Sequence, residues 1–294
     1  MSSITKERKR LPDWLKKDVL LNTESRKVHA LIQEFNLNTV CKSARCPNRN
    51  ECFSSGTATF MILGNTCTRG CTFCSVPKGR PELTAESWEL REEPKNVARA
   101  AKIMGLNHVV ITSVNRDDLN DQGSNHFSRT ISELRTEIPN VTIEVLTPDF
   151  RGDKKCIETV VNAKPDIYNH NLETVPRLYR EVRPGAIYTR SLELIKYVKN
   201  LNPKIITKSG IMLGLGERKE EIIQVLNNLF LYDCDYVTLG QYMQPTRSSY
   251  PVHRYLLPEE FEELKEIGLR IGFKKVFSGA LVRSSYHAKE LHEE

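Results

Sequence analysis

ATFMIL at residues 58–63, followed three residues later by CTRGCTFC at residues 67–74, is the stretch from which the fold can be read. A short apolar, β-branched run reads as a buried strand. The cysteine loop that leaves its C-terminal end stands where parallel α/β folds place their chemistry. Outward from there the same alternation continues. Strands are expected at Ala58–Leu63, His108–Ser113, Val141–Leu146, Asp166–Asn169, Lys204–Met212 and Tyr236–Leu239. Helices are expected at Pro94–Met104, Asn125–Ile138, Lys154–Ala163, Ser191–Asn200, Arg218–Tyr232 and Pro258–Ile271. Pro94 and Pro258 would each sit in a first helical turn, where a missing N–H is harmless. Strands alternating one for one with helices imply parallel pairing through right-handed crossovers. The expected fold is α/β, an incomplete (β/α)6 barrel over residues 58–272, with an N-terminal extension over 1–57 and a C-terminal segment over 273–294. A doubly wound sheet would leave the same pattern in the sequence.

The cysteines narrow the chemistry. Of eight, six form two triplets: Cys41, Cys46 and Cys52 with spacing C-x4-C-x5-C, and Cys67, Cys71 and Cys74 with spacing C-x3-C-x2-C. A four-iron cluster takes four thiolates. The second triplet therefore leaves one iron open, and an open metal position is where chemistry happens, while the first asks for a fourth ligand from elsewhere. Zinc fits poorly, because neither triplet has a further Cys or His at finger-like spacing. A disulfide framework belongs to small secreted domains, which a chain of 294 residues is not. Cys156 and Cys234 have no partners at ligand spacing and read as small core residues.

Hydrophobic content of 39% and charged content of 27% describe an ordinary globular chain. The net charge of +6 is modest, and half of it comes from Lys6, Arg8, Lys9 and Arg10 against Glu7. Such a tail reads first as solvated. Without an aromatic and basic repeat, nucleic acid is not expected as a partner. The sequence before the first triplet has no apolar run long enough for a signal segment or a membrane span. Glu7, Asp13 and Asp18 argue against a mitochondrial leader, so the expected location is cytoplasmic and the expected membrane contact none.

CTRGCTFC, with Phe73 ahead of the last cysteine, resembles the signature of the radical S-adenosylmethionine enzymes. With the first triplet CKSARCPNRNEC and RSSY at Arg283–Tyr286, the chain resembles one family among them, the lipoyl synthases. The likeness runs nearly end to end through LPDWLK, TSVNRDDL from Thr112, NHNLETV from Asn169, RPGAIYTRSL from Arg183, KSGIMLGLGE from Lys208 and TLGQYMQPT from Thr238. One departure is Ala280, where members of that family commonly carry proline.

That resemblance implies a barrel of the radical S-adenosylmethionine type whose extensions hold a second cluster, and a sulfurtransferase that inserts sulfur at C6 and C8 of an octanoyl chain bound to a carrier lysine. It implies two [4Fe-4S] clusters and S-adenosylmethionine. Cys67, Cys71 and Cys74 would hold the cluster that splits S-adenosylmethionine to a 5′-deoxyadenosyl radical. Cys41, Cys46, Cys52 and Ser285 would hold an auxiliary cluster sacrificed as the sulfur donor. An alkoxide is a harder and more labile ligand to iron than a thiolate, so a serine suits a cluster that must come apart, although a terminal serine more commonly caps backbone. Implied partners are octanoylated lipoyl carrier proteins or domains, an electron donor such as ferredoxin or flavodoxin, and cluster-repair proteins.

Polar residues at strand ends are the candidates for holding S-adenosylmethionine: Ser113 and Asn115 after the second expected strand, Asn171 and Glu173 after the fourth, and Arg183, whose guanidinium suits a carboxylate. Each could equally be an ordinary hydrogen bond at a barrel mouth. Asp117 and Asp118 could brace Arg116. Two other classes remain. Biotin synthases and tRNA methylthiotransferases lack the combination of C-x4-C-x5-C with RSSY, and a two-cluster electron carrier of the ferredoxin kind would need neither a barrel nor an open iron.

Overall fold

The computed structural model describes residues 10–16, 23–54, 58–84 and 87–285. Residues 1–9 of the basic tail and Tyr286 of RSSY lie outside them. The strands are β1 (Asn38–Thr39), β2 (Thr59–Ile62), β3 (His108–Ser113), β4 (Thr142–Leu146), β5 (Ile167–Asn169), β6 (Ile206–Leu213), β7 (Tyr236–Gln241) and β8 (Lys275–Gly279). They form one sheet in chain order. β1 pairs antiparallel with β2, and every later pairing is parallel. A doubly wound sheet reverses its strand order at a switch point. Here the order never reverses, and the sheet ends at β1 and β8 without closing, so the fold is an incomplete barrel.

The helices are α1 (Thr23–Glu34), α2 (Val40–Ser43) and α3 (Arg49–Ser54) before the barrel, then α4 (Trp88–Ile103), α5 (Ser124–Glu137), α6 (Lys154–Asn162), the short α7 (Tyr179–Val182), α8 (Tyr188–Leu201), α9 (Lys219–Leu231) and α10 (Pro258–Ile271). Strand alternation explains why they cover the sheet. Phe60, Ile62, Val109, Ile111, Ile143 and Val145 pack with Val97, Ala98, Phe127, Ile131 and Leu134 of α4 and α5 in one buried core. Each large apolar side chain there contributes roughly 1.5–3 kcal/mol. The alternate positions, Thr59 and Met61, His108 and Val110, Leu146 and Met212, line cavities on the other face. Deep in that interior Lys208 Nζ lies 3.0 and 3.1 Å from the two oxygens of Glu144, and Asn169 donates to the same carboxylate at 2.9 Å.

Two expectations need correction. Pro94 is not in a first turn: α4 begins at Trp88, and its buried stripe of Leu90, Pro94, Val97 and Ala101 runs through the proline. The apolar periodicity outweighs the one hydrogen bond that Pro94 cannot make. The sheet also continues past residue 272, because β8 pairs with β7 from Tyr236↔Lys275 to Gly240↔Gly279. Its sequence, KVFSG, buries Val276 well and little else, so it carries no run of the kind that marks the other strands. Cys156 and Cys234 are buried core residues, as expected.

Candidate active site

Cys67, Cys71 and Cys74 occupy a loop fastened on three sides. Cys67 N–H donates to Pro77 O at 2.8 Å, Thr68 N–H to Asn115 O at 3.1 Å, and Thr72 N–H to Val182 O at 3.0 Å. Arg69 locks it further. Its Nε and Nη2 grip Asp117 at 2.7 and 2.9 Å, and Nη2 also meets Asp149 at 2.6 Å. Burial alone would push the Asp149 carboxyl up, but the Arg69 guanidinium holds it well below the usual range. Asp117 thus pairs with Arg69 instead of bracing Arg116, which is held by Asp118 at 2.8 Å. The thiols point into a cavity of about 210 Å³. Cys67 Sγ accepts from Arg69 N–H at 3.4 Å and from Asn115 Nδ2 at 3.8 Å, and Cys74 Sγ accepts from Val76 N–H at 3.5 Å. Burial pushes Cys71 up and Cys74 up to about 11, so metal uptake here releases protons.

Ser113, Asn115, Asn171, Glu173 and Arg183 all line this same cavity. Several carry buried polar atoms with no partner: Ser113 Oγ, Asn115 Oδ1, Asn171 Oδ1 and Arg183 Nε. Buried polar groups are ordinarily satisfied, so this set is arranged for a polar ligand. Glu173 has φ of 65°, an uncommon conformation for a non-glycine residue, and accepts from Asn171 Nδ2 at 3.1 Å. Burial raises its pKa while Arg183 opposes the shift. Arg183 spends Nη1 on Asn171 O, Leu172 O and Tyr179 Oη, at 2.9, 3.1 and 3.1 Å.

A second cavity, of about 400 Å³, is lined by Cys41, Cys46, Cys52 and Ser285 together. The N-terminal cysteines reach it because β1 pairs antiparallel with β2 and leads directly into α2, with Cys41 inside that helix. The C-terminal segment reaches it across β7. Asn48 Nδ2 donates to Leu281 O at 2.7 Å, and Thr59 Oγ1 donates to Ser285 Oγ at 2.9 Å. Burial pushes Cys41 up to about 11. The two cavities share Val40, Ala44, Phe73, Cys74 and Leu146 as a common wall. Among the described residues no group of three His, Cys, Asp or Glu converges on a single ion. The donor sets, three thiols in one cavity and three thiols with a hydroxyl in the other, fit iron–sulfur clusters, and the unpaired polar atoms fit an amino acid and a ribose.

Residues 61–229 match the family model of the radical SAM superfamily, and residues 2–46 match that of the N-terminal domain of lipoyl synthase. The lipoyl synthase of Caldanaerobacter subterraneus subsp. tengcongensis is 55% identical over 279 residues, covering 95% of this chain and 96% of that protein. The chain belongs to the lipoyl synthase family. A lipoyl synthase of Rubrobacter xylanophilus is 52% identical over 284 residues, covering 96% of this chain and 87% of its own length. Among solved structures, methylornithine synthase matches with a TM-score of 0.56 at 18% identity, over 80% of this chain and 76% of that one. Streptococcus suis SuiB bound to S-adenosylmethionine matches at 0.51 and 15%, over 90% and 52%. These two likenesses are of fold alone. As a member of the lipoyl synthase family this chain is an enzyme, a sulfur-inserting transferase, and the family implies [4Fe-4S] clusters and S-adenosylmethionine.

Residues that sequence reading did not single out complete the site. Asp149 and Arg69 are 80 positions apart, with no spacing signal to join them. Asn48 lies between two of the cysteines and was hidden by them. Thr59 read as one more residue of a strand.

Proposed function

We propose that this enzyme converts an octanoyl chain, amide-linked to a lysine of a carrier protein or domain, into the lipoyl group by inserting sulfur at C6 and C8. In this reading Cys67, Cys71 and Cys74 hold one [4Fe-4S] cluster, and Cys41, Cys46, Cys52 and Ser285 hold a second that donates the sulfur. The single observation that supports it most is that Ser285 lines one cavity with all three cysteines of the first triplet, and that this cavity shares a wall with the one holding the second triplet. S-adenosylmethionine held in the cavity of Cys67, Cys71 and Cys74 would supply a carbon radical strong enough to take hydrogen from an unactivated methylene, which no side-chain base can deprotonate. Ser113, Asn115, Asn171, Glu173 and Arg183 orient that cofactor. Val40, Ala44, Phe73 and Leu146 give the shared wall an apolar surface against which a fatty acyl chain lies out of water.

The reductant is read as a ferredoxin or flavodoxin, with cluster-repair proteins restoring the spent cluster. The location is read as cytoplasmic, where thiols stay reduced; no helix among the described residues is long and apolar enough to cross a membrane. Anaerobic incubation of reduced, reconstituted enzyme with S-adenosylmethionine and an octanoyl-lysyl peptide, followed by mass spectrometry, tests the reading. Wild type should add two sulfur atoms. Cys71→Ala should stop cleavage of S-adenosylmethionine, whereas Cys46→Ala should keep cleavage and lose sulfur insertion. Equal loss of cleavage in both folded variants would contradict the division of labour.

A further inference from the structure

We propose that Thr59 is the positioning residue for the serine end of the auxiliary site, holding the Ser285 oxygen toward Cys41, Cys46 and Cys52. The inference rests on the reading of Ser285 as a ligand. Thr59 opens β2, is 5% exposed, and lines the same cavity as the four ligands. Its hydroxyl donates to Ser285 Oγ at 2.9 Å. Among the described residues it is the side chain hydrogen-bonded to that oxygen. Thr59 also stands close to Cys41, which lines the same cavity. One residue therefore lies beside a ligand from each end of the chain.

The chemistry gives this contact a purpose beyond fastening a loop. A hydroxyl carries a single proton. With that of Thr59 given to Ser285 Oγ, the oxygen keeps one lone pair free for iron, and it is a better ligand once it has lost its own proton. A hydrogen bond to an ionised oxygen is roughly twice as strong as one between neutral groups, so the contact strengthens as the serinate forms. Position is fixed as well, because a β-branched side chain in a strand has a restricted χ1 and β2 is held on both edges, by β1 at Phe60 and by β3 at Thr59. The same short strand leads, at its other end, to the Cys67 loop, so one rigid element sets the spacing of the two sites.

The experiment uses the full chain with Cys67, Cys71 and Cys74 changed to alanine, so that only the auxiliary cluster assembles. Electron paramagnetic resonance of that cluster and its rate of iron loss to a chelator are then compared across variants. Ser285→Ala should change the spectrum and speed iron loss. Thr59→Val, which keeps the branched shape and removes the donor, should shift the spectrum the same way and lose iron about tenfold faster than the parent, the factor that about 1.4 kcal/mol of one charged hydrogen bond gives. Thr59→Ser should restore parental behaviour. A parental spectrum and rate for Thr59→Val, beside a changed Ser285→Ala, overturns the role of Thr59 and leaves the serine ligand standing. A silent Ser285→Ala removes the ligand reading itself, and the positioning role with it. Should Thr59→Val not fold, Thr59→Ala and Thr59→Ser decide the matter: both lack the γ-methyl and only the second keeps the donor, so equal behaviour of the two overturns the proposal.

Discussion

His170 shows how closely single groups are controlled in the cavity lined by Cys67, Cys71 and Cys74. Its Nδ1 lies 2.9 Å from Thr147 O, so that nitrogen carries the proton, and Nε2 at 2.9 Å accepts from Ser191 Oγ. Burial first, and then the charges of Arg183 and Arg69 against that of Asp149, push its pKa from the ordinary 6.5 down to about 4. The folded pKa lies below the unfolded one, so as pH falls the unfolded chain binds the proton first. The neutral ring's contribution is present above about pH 6.5 and is lost as pH falls toward about 4, by roughly 3 kcal/mol in all. Urea unfolding of cluster-free protein between pH 7.5 and 4.5 should show that loss, and His170→Gln should flatten it. An unchanged slope in the variant would remove His170 as its source. That Ser113, Asn115, Asn171, Glu173 and Arg183 line one cavity was legible at this scale because a barrel exposes the residues just after its strands. Asp149 was not: its importance lies in Arg69, which only folding brings near. Asp149→Ala leaves that guanidinium buried without half its anion, and a loss of about 3 kcal/mol is expected in thermal unfolding.

At the scale of elements, six strands and six helices could be placed from apolar runs and 3.6-residue periodicity, because each has a face in the helix–sheet core. β8 escaped because a strand at the sheet's open end, covered mainly by α10, needs little apolar surface of its own. The end of β7 also carries a constraint invisible in sequence. A Cβ at Gly240 would stand 2.1 Å from Val282 O, so the C-terminal segment can lie across β7 only because that residue is glycine. The turn that brings it there includes Ala280 and is closed by Val282 N–H donating to Gly279 O at 3.0 Å. Gly240→Ala should therefore lift the segment, breaking the Asn48–Leu281 and Thr59–Ser285 bonds together. The expected outcome is loss of iron from the auxiliary site with S-adenosylmethionine cleavage retained, read by iron analysis and by 5′-deoxyadenosine release. Full iron content in Gly240→Ala would mean that the segment finds another path.

Across the whole molecule the two sites differ in how they are built. The cavity of Cys67, Cys71 and Cys74 draws almost all its lining from the barrel strands and the loops that follow them, with Val40 and Ala44 the contribution from outside. The larger cavity is assembled from both ends of the chain laid over that barrel, with Cys41, Cys46 and Cys52 from one side and Arg283, Ser284 and Ser285 from the other. Contacts that join the ends span more than 200 positions, 233 for Asn48 to Leu281 and 226 for Thr59 to Ser285. The sheet from β1 to β8 already closes that separation, so these bonds and, in this reading, the cluster have only the short segment past β8 to order. A chain ending at Ala280 keeps β8 and every barrel pairing. It should reconstitute with about four irons where the full chain takes about eight, cleave S-adenosylmethionine when reduced, and add no sulfur to an octanoyl-lysyl peptide. If the shortened chain instead held about eight irons, Ser285 would not be needed to retain the second cluster. If it kept its fold and lost cleavage as well, the two sites would not be separable, and the barrel would depend on its ends for the first chemical step.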